Sequence, residues 1–421
     1  MKNHLIAMLI AVSALACGRE QIRPRTNDAG EIVSLPAIWK LPLHADGVFH
    51  SNSIPRAHLV WDHKALIATT GGPDDRALTC VDTRTGEVLW QWSDIYNPPT
   101  EYFDIFDTYI YEGVMTYTVG GRHYAIDMET GATKWRFQRD RSYHKTISGI
   151  GHRYFINGPP TDTLAGYDLR VLHEGDLRTG TLRQILFPVY SQQYVGPGNR
   201  IGDVTGCVSV IQGADTLLAV IYQEPRETYN WISFLGLYSL TRRVWVYERV
   251  QINDEAMNGV LFHEPVISGN QVYMNIGSEI ACHDLGTGEQ CWKRDFPRDF
   301  QFSGFIVEEG LLIANCEDKV LYGLAAATGA TRWTGEGAGT SSLLEGRSLN
   351  GVVYFSGGSS SRIHAVDLQT GKTLWRLDPA LIEPGAEDWK PDLYVIPGEG
   401  GKKGRVIACT PMHAYAFEAE R

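Results

Sequence analysis

The chain has 421 residues, 43% of them hydrophobic and 21% charged, which is enough apolar content for a large core and too little charge for a disordered chain. Its 44 Gly and its aromatic content of 11% point to many turns between short strands, and so to an all-β chain rather than one of long helices. With 38 Lys+Arg against 49 Asp+Glu the net charge is −11, which repels a phosphate backbone and argues against nucleic acid as a partner.

The chain opens on a short basic stretch, Met1-Lys2-Asn3-His4, followed by an apolar run from Leu5 to Ala16. That run is too short to span a bilayer but suits the core of a signal peptide, to which residues 1–16 are assigned. It ends in Ala14-Leu15-Ala16-Cys17, which supports two readings. Ala-x-Ala is an ordinary signal-peptidase site, and small residues directly before a cysteine also resemble a lipoprotein cleavage box whose Cys17 would be acylated. Both cut after Ala16, and the lipoprotein reading is preferred because it gives an N-terminal cysteine a role. Residues 17–35 are polar and lack apolar periodicity, so they read as a lipidated N-terminus and flexible tether, reaching at most about 60 Å if fully extended. Residues 36–421 then form the globular part, with no later stretch apolar enough for a transmembrane helix. The expected location is the cell envelope, at the outer membrane through the lipid, facing periplasm or exterior.

An internal repeat organises the globular part. The pattern small-x-Asp-x-x-Thr-Gly-x-x-x-Trp runs from Cys80 to Trp90, Ala125 to Trp135, Cys282 to Trp292, Gly323 to Trp333 (with Ala325 for Asp) and Ala365 to Trp375. Glu174 to Gln184 keeps the turn and loses the Trp, while Leu237 to Trp245 keeps a Trp and shortens the turn. A repeat of 40–50 residues with strand-like sequence indicates propeller blades of four strands. At the C-terminus Ala416-Phe417-Glu418 fits the third strand of a blade whose outer strand is missing, and Trp39 can supply it. The predicted fold is therefore an eight-bladed, all-β propeller of four-stranded antiparallel blades, closed by N- and C-terminal strands in one blade. Seven blades would follow if residues 136–245 made a single large one.

The motif's chemistry is structural. Asp82, Asp127, Asp176, Asp284 and Asp367 can accept bonds from backbone amides just ahead. Gly86, Gly131, Gly180, Gly288, Gly329 and Gly371 supply a positive φ. Trp39, Trp90, Trp135, Trp245, Trp292, Trp333 and Trp375 are plates that need burial. Because the residue two before the Asp is small in five copies, each Trp is expected to stack on that small residue in a neighbouring blade. Repeat three has Glu174 and Gln184 there, so one such contact should be missing.

This whole motif, recurring in register from Pro36 to Arg421, resembles the tryptophan-docking repeat of the pyrroloquinoline-quinone (PQQ) propeller superfamily. The resemblance implies one of two branches: quinoprotein dehydrogenases, or cofactor-free scaffolds such as the BamB-like lipoproteins of outer-membrane assembly. The enzyme branch grips its quinone with a disulfide between adjacent cysteines and holds Ca²⁺ with Glu, Asn and Asp. This chain has no adjacent cysteine pair. No catalytic, cofactor or metal residue is assigned and no cofactor is expected; PQQ with calcium belongs to the alternative.

Among the remaining cysteines, Cys282 and Cys291 flank one hairpin turn and are a candidate cross-strand disulfide, while Cys80 and Cys282 also read as small residues beneath a Trp. His364 reads as a half-buried strand residue. Two regions carry candidate partner-binding aromatics: Tyr96, Tyr102, Phe103 and Phe106 in the first, and Tyr190, Tyr194 and Trp231 in the enlarged stretch 136–245. The favoured function is a monomeric, lipid-anchored scaffold binding envelope or outer-membrane proteins. A PQQ-dependent oxidoreductase of alcohols or sugars and an envelope glycan-binding or sensor propeller are the alternatives.

Overall fold

The computed structural model describes residues 25–26, 30–45, 47, 57–72, 75–94, 108–119, 122–138, 145–158, 168–186, 200–227, 230–253, 265–298, 300, 303–339, 347–357, 361–390 and 393–421. Four-stranded antiparallel meanders follow one another around a ring. Blade 1 comprises Ala57–Trp61, Lys64–Gly72, Asp75–Asp82 and Val88–Trp92. Blades 2 to 7 occupy 108–138, 145–186, 200–251, 266–295, 305–336 and 348–377. Blade 8 takes Leu393–Ile396, Arg405–Cys409 and His413–Glu418 from the C-terminus and Trp39–Pro42 from the N-terminus, with Trp39 opposite Ala416. The ring thus closes as eight blades, with no free sheet edge at the seam.

The turns that begin each outer strand form as their composition dictates. The Asp127 carboxylate accepts from the amides of Glu129 and Thr130, and the Gly131 amide returns to the Asp127 carbonyl at 2.8 Å. Asp176, Asp284 and Asp367 repeat the arrangement. Directly after the turn, a β-bulge recurs. Cys80 pairs with Trp90 and Val81 with Val88, leaving Leu89 as the extra residue. Blades 2, 5, 6 and 7 carry the same bulge, at Lys134, Cys291, Arg332 and Leu374. A bulge sets two residues against one, which leaves room for only a small side chain opposite the Trp.

This corrects the expected stacking. The small residue lies beneath the Trp of its own blade: Gly323 pairs with Trp333, and a Cβ on Gly323 would sit 2.1 Å from that indole. Across the blade boundary the Trp meets the next blade's turn glycine and the carbonyl after its Asp. Trp333 donates to the Leu368 carbonyl at 3.1 Å, and a Cβ on Gly371 (φ +69°) would come within 2.2 Å of the ring. Trp39, Trp90, Trp135 and Trp292 dock alike, on Gly86, Gly131, Gly180 and Gly329, donating to the carbonyls of Thr83, Met128, Leu177 and Ala326.

Two further tryptophans depart from expectation. In blade 4 the register pairs Leu237 with Tyr247, while Trp245 pairs with Tyr238 inside its own blade. The docking ring there is Tyr247, whose hydroxyl donates to the Leu285 carbonyl at 3.0 Å and whose ring lies on Gly288. The shortened turn moved the docking place two residues along. Trp375 has no Asp-Gly turn ahead of it, because the outer strand of blade 8 is Trp39–Pro42 from the N-terminal segment. It is buried among Ile32, Leu35 and Trp389 instead. Ile32 and Leu35 are buried and Glu31 bridges to Arg376, so residues ahead of Pro36 pack onto the propeller.

Candidate functional site

In an antiparallel meander, successive connections alternate between the two faces of the ring. On one face lie the Asp-Gly turns and, in blades 1 to 7, two-residue turns such as Glu112-Gly113 and Asn350-Gly351, both residues with positive φ as a type I′ hairpin requires. On the other, the loop face, the chain leaves each outer strand for the next blade, through 93–107, 187–199, 252–265, 337–347 and 378–392 among others. The turn face is fixed by indole docking, so the loop face is the one that can vary without opening the ring.

A second set of inter-blade bonds supports this face, and no motif announced it. Asn157, Asn315 and Ser356 lie at the last or last-but-one position of the second strands of blades 3, 6 and 7, all buried. Asn157 donates to the Val204 carbonyl on the inner strand of blade 4 at 2.8 Å. Asn315 donates to the Gly339 carbonyl and accepts from the Ala338 amide, pinning the connection to blade 7. Ser356 donates to the Lys390 carbonyl in the connection to blade 8 at 2.9 Å. A small polar residue closing each apolar run (Arg153–Gly158, Leu311–Asn315, Val352–Ser356) was the available signal. A buried amide there satisfies backbone groups that a loop cannot pair within a sheet.

Blade 4 stands out at the loop face. Its second and third strands, Asp215–Glu227 and Asn230–Ser239, of 13 and 10 residues, are paired from Leu217↔Ser239 out to Glu227↔Asn230 and are the longest second and third strands of the ring. Near the tip the buried Glu224 carboxylate takes both terminal nitrogens of Arg249, whose guanidinium lies 3.9 Å over the Phe234 ring. The hydrogen bond to Glu224 raises the guanidinium further above its ordinary range. Asn253 accepts from the Ser233 amide and donates to the Trp231 carbonyl, holding the outgoing connection to the hairpin. A carboxylate buried in this way is held by its paired guanidinium, which ties the second and outer strands of the blade together near the hairpin's end.

Of the candidate binding residues, Trp231 lies at this tip, half-buried and opposite Pro225. Tyr96, Tyr102, Phe103, Phe106, Tyr190 and Tyr194 lie outside the described residues, as does Cys17. The strands flanking 95–107 and 187–199 end and begin on the loop face, the same face as Trp231. Cys282 and Cys291 are free thiols. Cys282 and Cys291 are not directly opposed: Cys282 faces Trp292 and Cys291 is the bulge residue. His364 is fully rather than half buried, stacked on Phe355 at 4.9 Å, and burial holds its pKa down at about 3.

Among the described residues no group of three or more His, Cys, Asp or Glu side chains could hold a metal ion.

The ring, its indole docking and its Asp-Gly turns define an eight-bladed propeller of the PQQ type. The family model described as outer membrane protein assembly factor BamB matches residues 37–231 and 242–381, and the chain belongs to that family. Among solved structures it is similar to Saccharomyces cerevisiae Sqt1 (TM-score 0.60, 9% identity, 92% of this chain and 100% of that one). It is similar also to a europium-containing methanol dehydrogenase (0.60, 12%, 91% and 93%) and to quinohemoprotein alcohol dehydrogenase ADHIIG of Pseudomonas putida HK5 (0.57, 12%, 91% and 76%). At such identities these likenesses speak for the fold alone. No curated protein matches the chain by sequence.

Proposed function

We propose that the chain is a non-catalytic scaffold of the cell envelope, held to the outer membrane by a lipid on Cys17, that binds other envelope proteins through its loop face in the service of outer-membrane protein assembly. The observation that carries this reading is the asymmetry of the ring. One face consists of short turns locked by indoles; the other gathers the long connections, the blade 4 hairpin with Trp231 and the strand ends that flank all the candidate aromatics. Family membership supports the same reading, since the family is described by an assembly factor.

The test is site-specific photocrosslinking in the full chain. A photoreactive phenylalanine analogue is placed at Tyr102, Tyr194 or Trp231, and for comparison at Thr130 or Thr370 on the turn face. Adducts with outer-membrane or barrel-assembly proteins are expected from the first group and not the second. Adducts from the turn face alone would refute the assignment. Calorimetric binding of PQQ with Ca²⁺, accompanied by dye-linked oxidation of an alcohol, would establish the dehydrogenase reading instead, and specific glycan binding the sensor reading.

A further inference from the structure

The bulge that recurs at the start of the outer strand brings two residues of that strand against one of its neighbour. The resulting pairs are Cys80 with Leu89, Ala125 with Lys134, Gly323 with Arg332 and Ala365 with Leu374. In blade 5 alone among these, both members are thiols: Cys282 on the third strand and Cys291 as the extra residue before Trp292. Cys291 is exposed and Cys282 is buried. We propose that Cys282 and Cys291 form a reversible redox pair, closing to a disulfide across the bulge and thereby locking the Asp284–Gly288 turn on which Tyr247 and Val250 of blade 4 dock.

The two thiols have unequal roles. Burial, joined by the neighbouring Cys291 thiol, pushes the Cys282 thiol up to about 12. The exposed Cys291 therefore reacts first, its thiolate attacking one sulfur of a donor disulfide and releasing the other as a thiolate. Cys282 then gives its proton to water and attacks the Cys291 sulfur of the mixed disulfide, releasing the second donor thiolate. The chain loses two protons and two electrons, and the donor disulfide is reduced to two thiols. Because the second step needs a thiolate that burial disfavours, closure should be slow at neutral pH and accelerate as the pH rises.

The full chain, purified with its thiols reduced, is equilibrated with glutathione disulfide as donor, denatured, alkylated without reductant and digested with trypsin. Both cysteines fall in the single tryptic peptide 250–293. The expected result is that peptide two hydrogens lighter and unalkylated, with Cys80, Cys207, Cys316 and Cys409 alkylated throughout. In Cys291→Ser the peptide should carry one alkyl group on Cys282. Double alkylation of 250–293 after equilibration would overturn the proposal, and so would a glutathione adduct on Cys291 that persists beside an alkylated Cys282.

Discussion

Gly371→Ala isolates what indole docking contributes. The glycine has φ +69°, so any side chain costs about 1–2 kcal/mol of left-handed strain. Its Cβ would also lie 2.2 Å from Trp333, forcing the ring off its seat. That removes the bond from Trp333 Nε1 to the Leu368 carbonyl, about 1 kcal/mol. It also removes part of the ring's contacts, about 1–2 kcal/mol for a half-buried Trp. The sum is about 3–5 kcal/mol. Gly269→Ala is the matched control, with φ +61° and nothing within 4 Å of its Cβ, and should cost only the strain. Urea unfolding followed by circular dichroism gives both values. The excess of about 2–3 kcal/mol should vanish in a Trp333→Ala background, because the clash and the lost dock are then already gone. Equal costs for the two alanines, or an excess that survives removal of Trp333, would refute docking as the bond between blades.

Asn315→Ala strips the Gly339 carbonyl and the Ala338 amide of their buried partner and should cost about 2–4 kcal/mol, with the Ala338 amide losing its protection in hydrogen exchange. Ile32→Ala with Leu35→Ala uncovers Trp375 and should cost about 3–6 kcal/mol; a loss below about 1 kcal/mol would show that this segment does not seal blades 7 and 8. His364→Phe tests a pH effect. The histidine's folded pKa is held near 3, below its unfolded value of about 6.5, so the unfolded state takes up the proton first and stability falls as pH drops from about 6.5 toward 3. Neither ring nitrogen has a hydrogen-bond partner among the described residues, so phenylalanine should fold as stably at neutral pH. It should also flatten the stability–pH slope across that window by up to about 1.4 kcal/mol per pH unit, and an unchanged slope would assign the acid sensitivity elsewhere.

The blade count and closure were legible because turn and Trp recur together, and a period of this length has few structural meanings. Which neighbour each Trp touches was not. The small residue two before the Asp suggested a partner in another blade, yet a bulge, which has no composition of its own, sets it under its own Trp. In blade 4 the shortened turn moved the docking role from Trp245 to Tyr247, and in blade 5 the bulge sets Trp292 in register with Cys282, with Cys291 as the extra residue beside it. The face that carries the candidate aromatics was implicit in strand alternation, whereas the polar pins at Asn157, Asn315 and Ser356 needed coordinates, since a lone Asn after an apolar run also reads as an ordinary strand end.

The boundary between blades 3 and 4 shows why one repeat could lose its motif without opening the ring. In blade 3 Glu174 faces Arg183, and the two form an ion pair where other blades set a small residue against a Trp. No indole then reaches blade 4, and the turn residue that would receive it is Arg243 at φ +59°, a side chain where the docked turns have glycine. The two departures are one change: once the ring is gone, nothing forbids a Cβ. The lost contact is replaced at the opposite face, where Asp168–Arg170 of blade 3 pair in parallel with 200–203 of blade 4 and the two blades merge into a single eight-stranded sheet. Backbone pairing therefore holds at the loop face what docking holds at the turn face elsewhere. That suture adjoins the blade whose strands are longest, so the boundary freed from the repeat is also the one joined to the proposed binding surface.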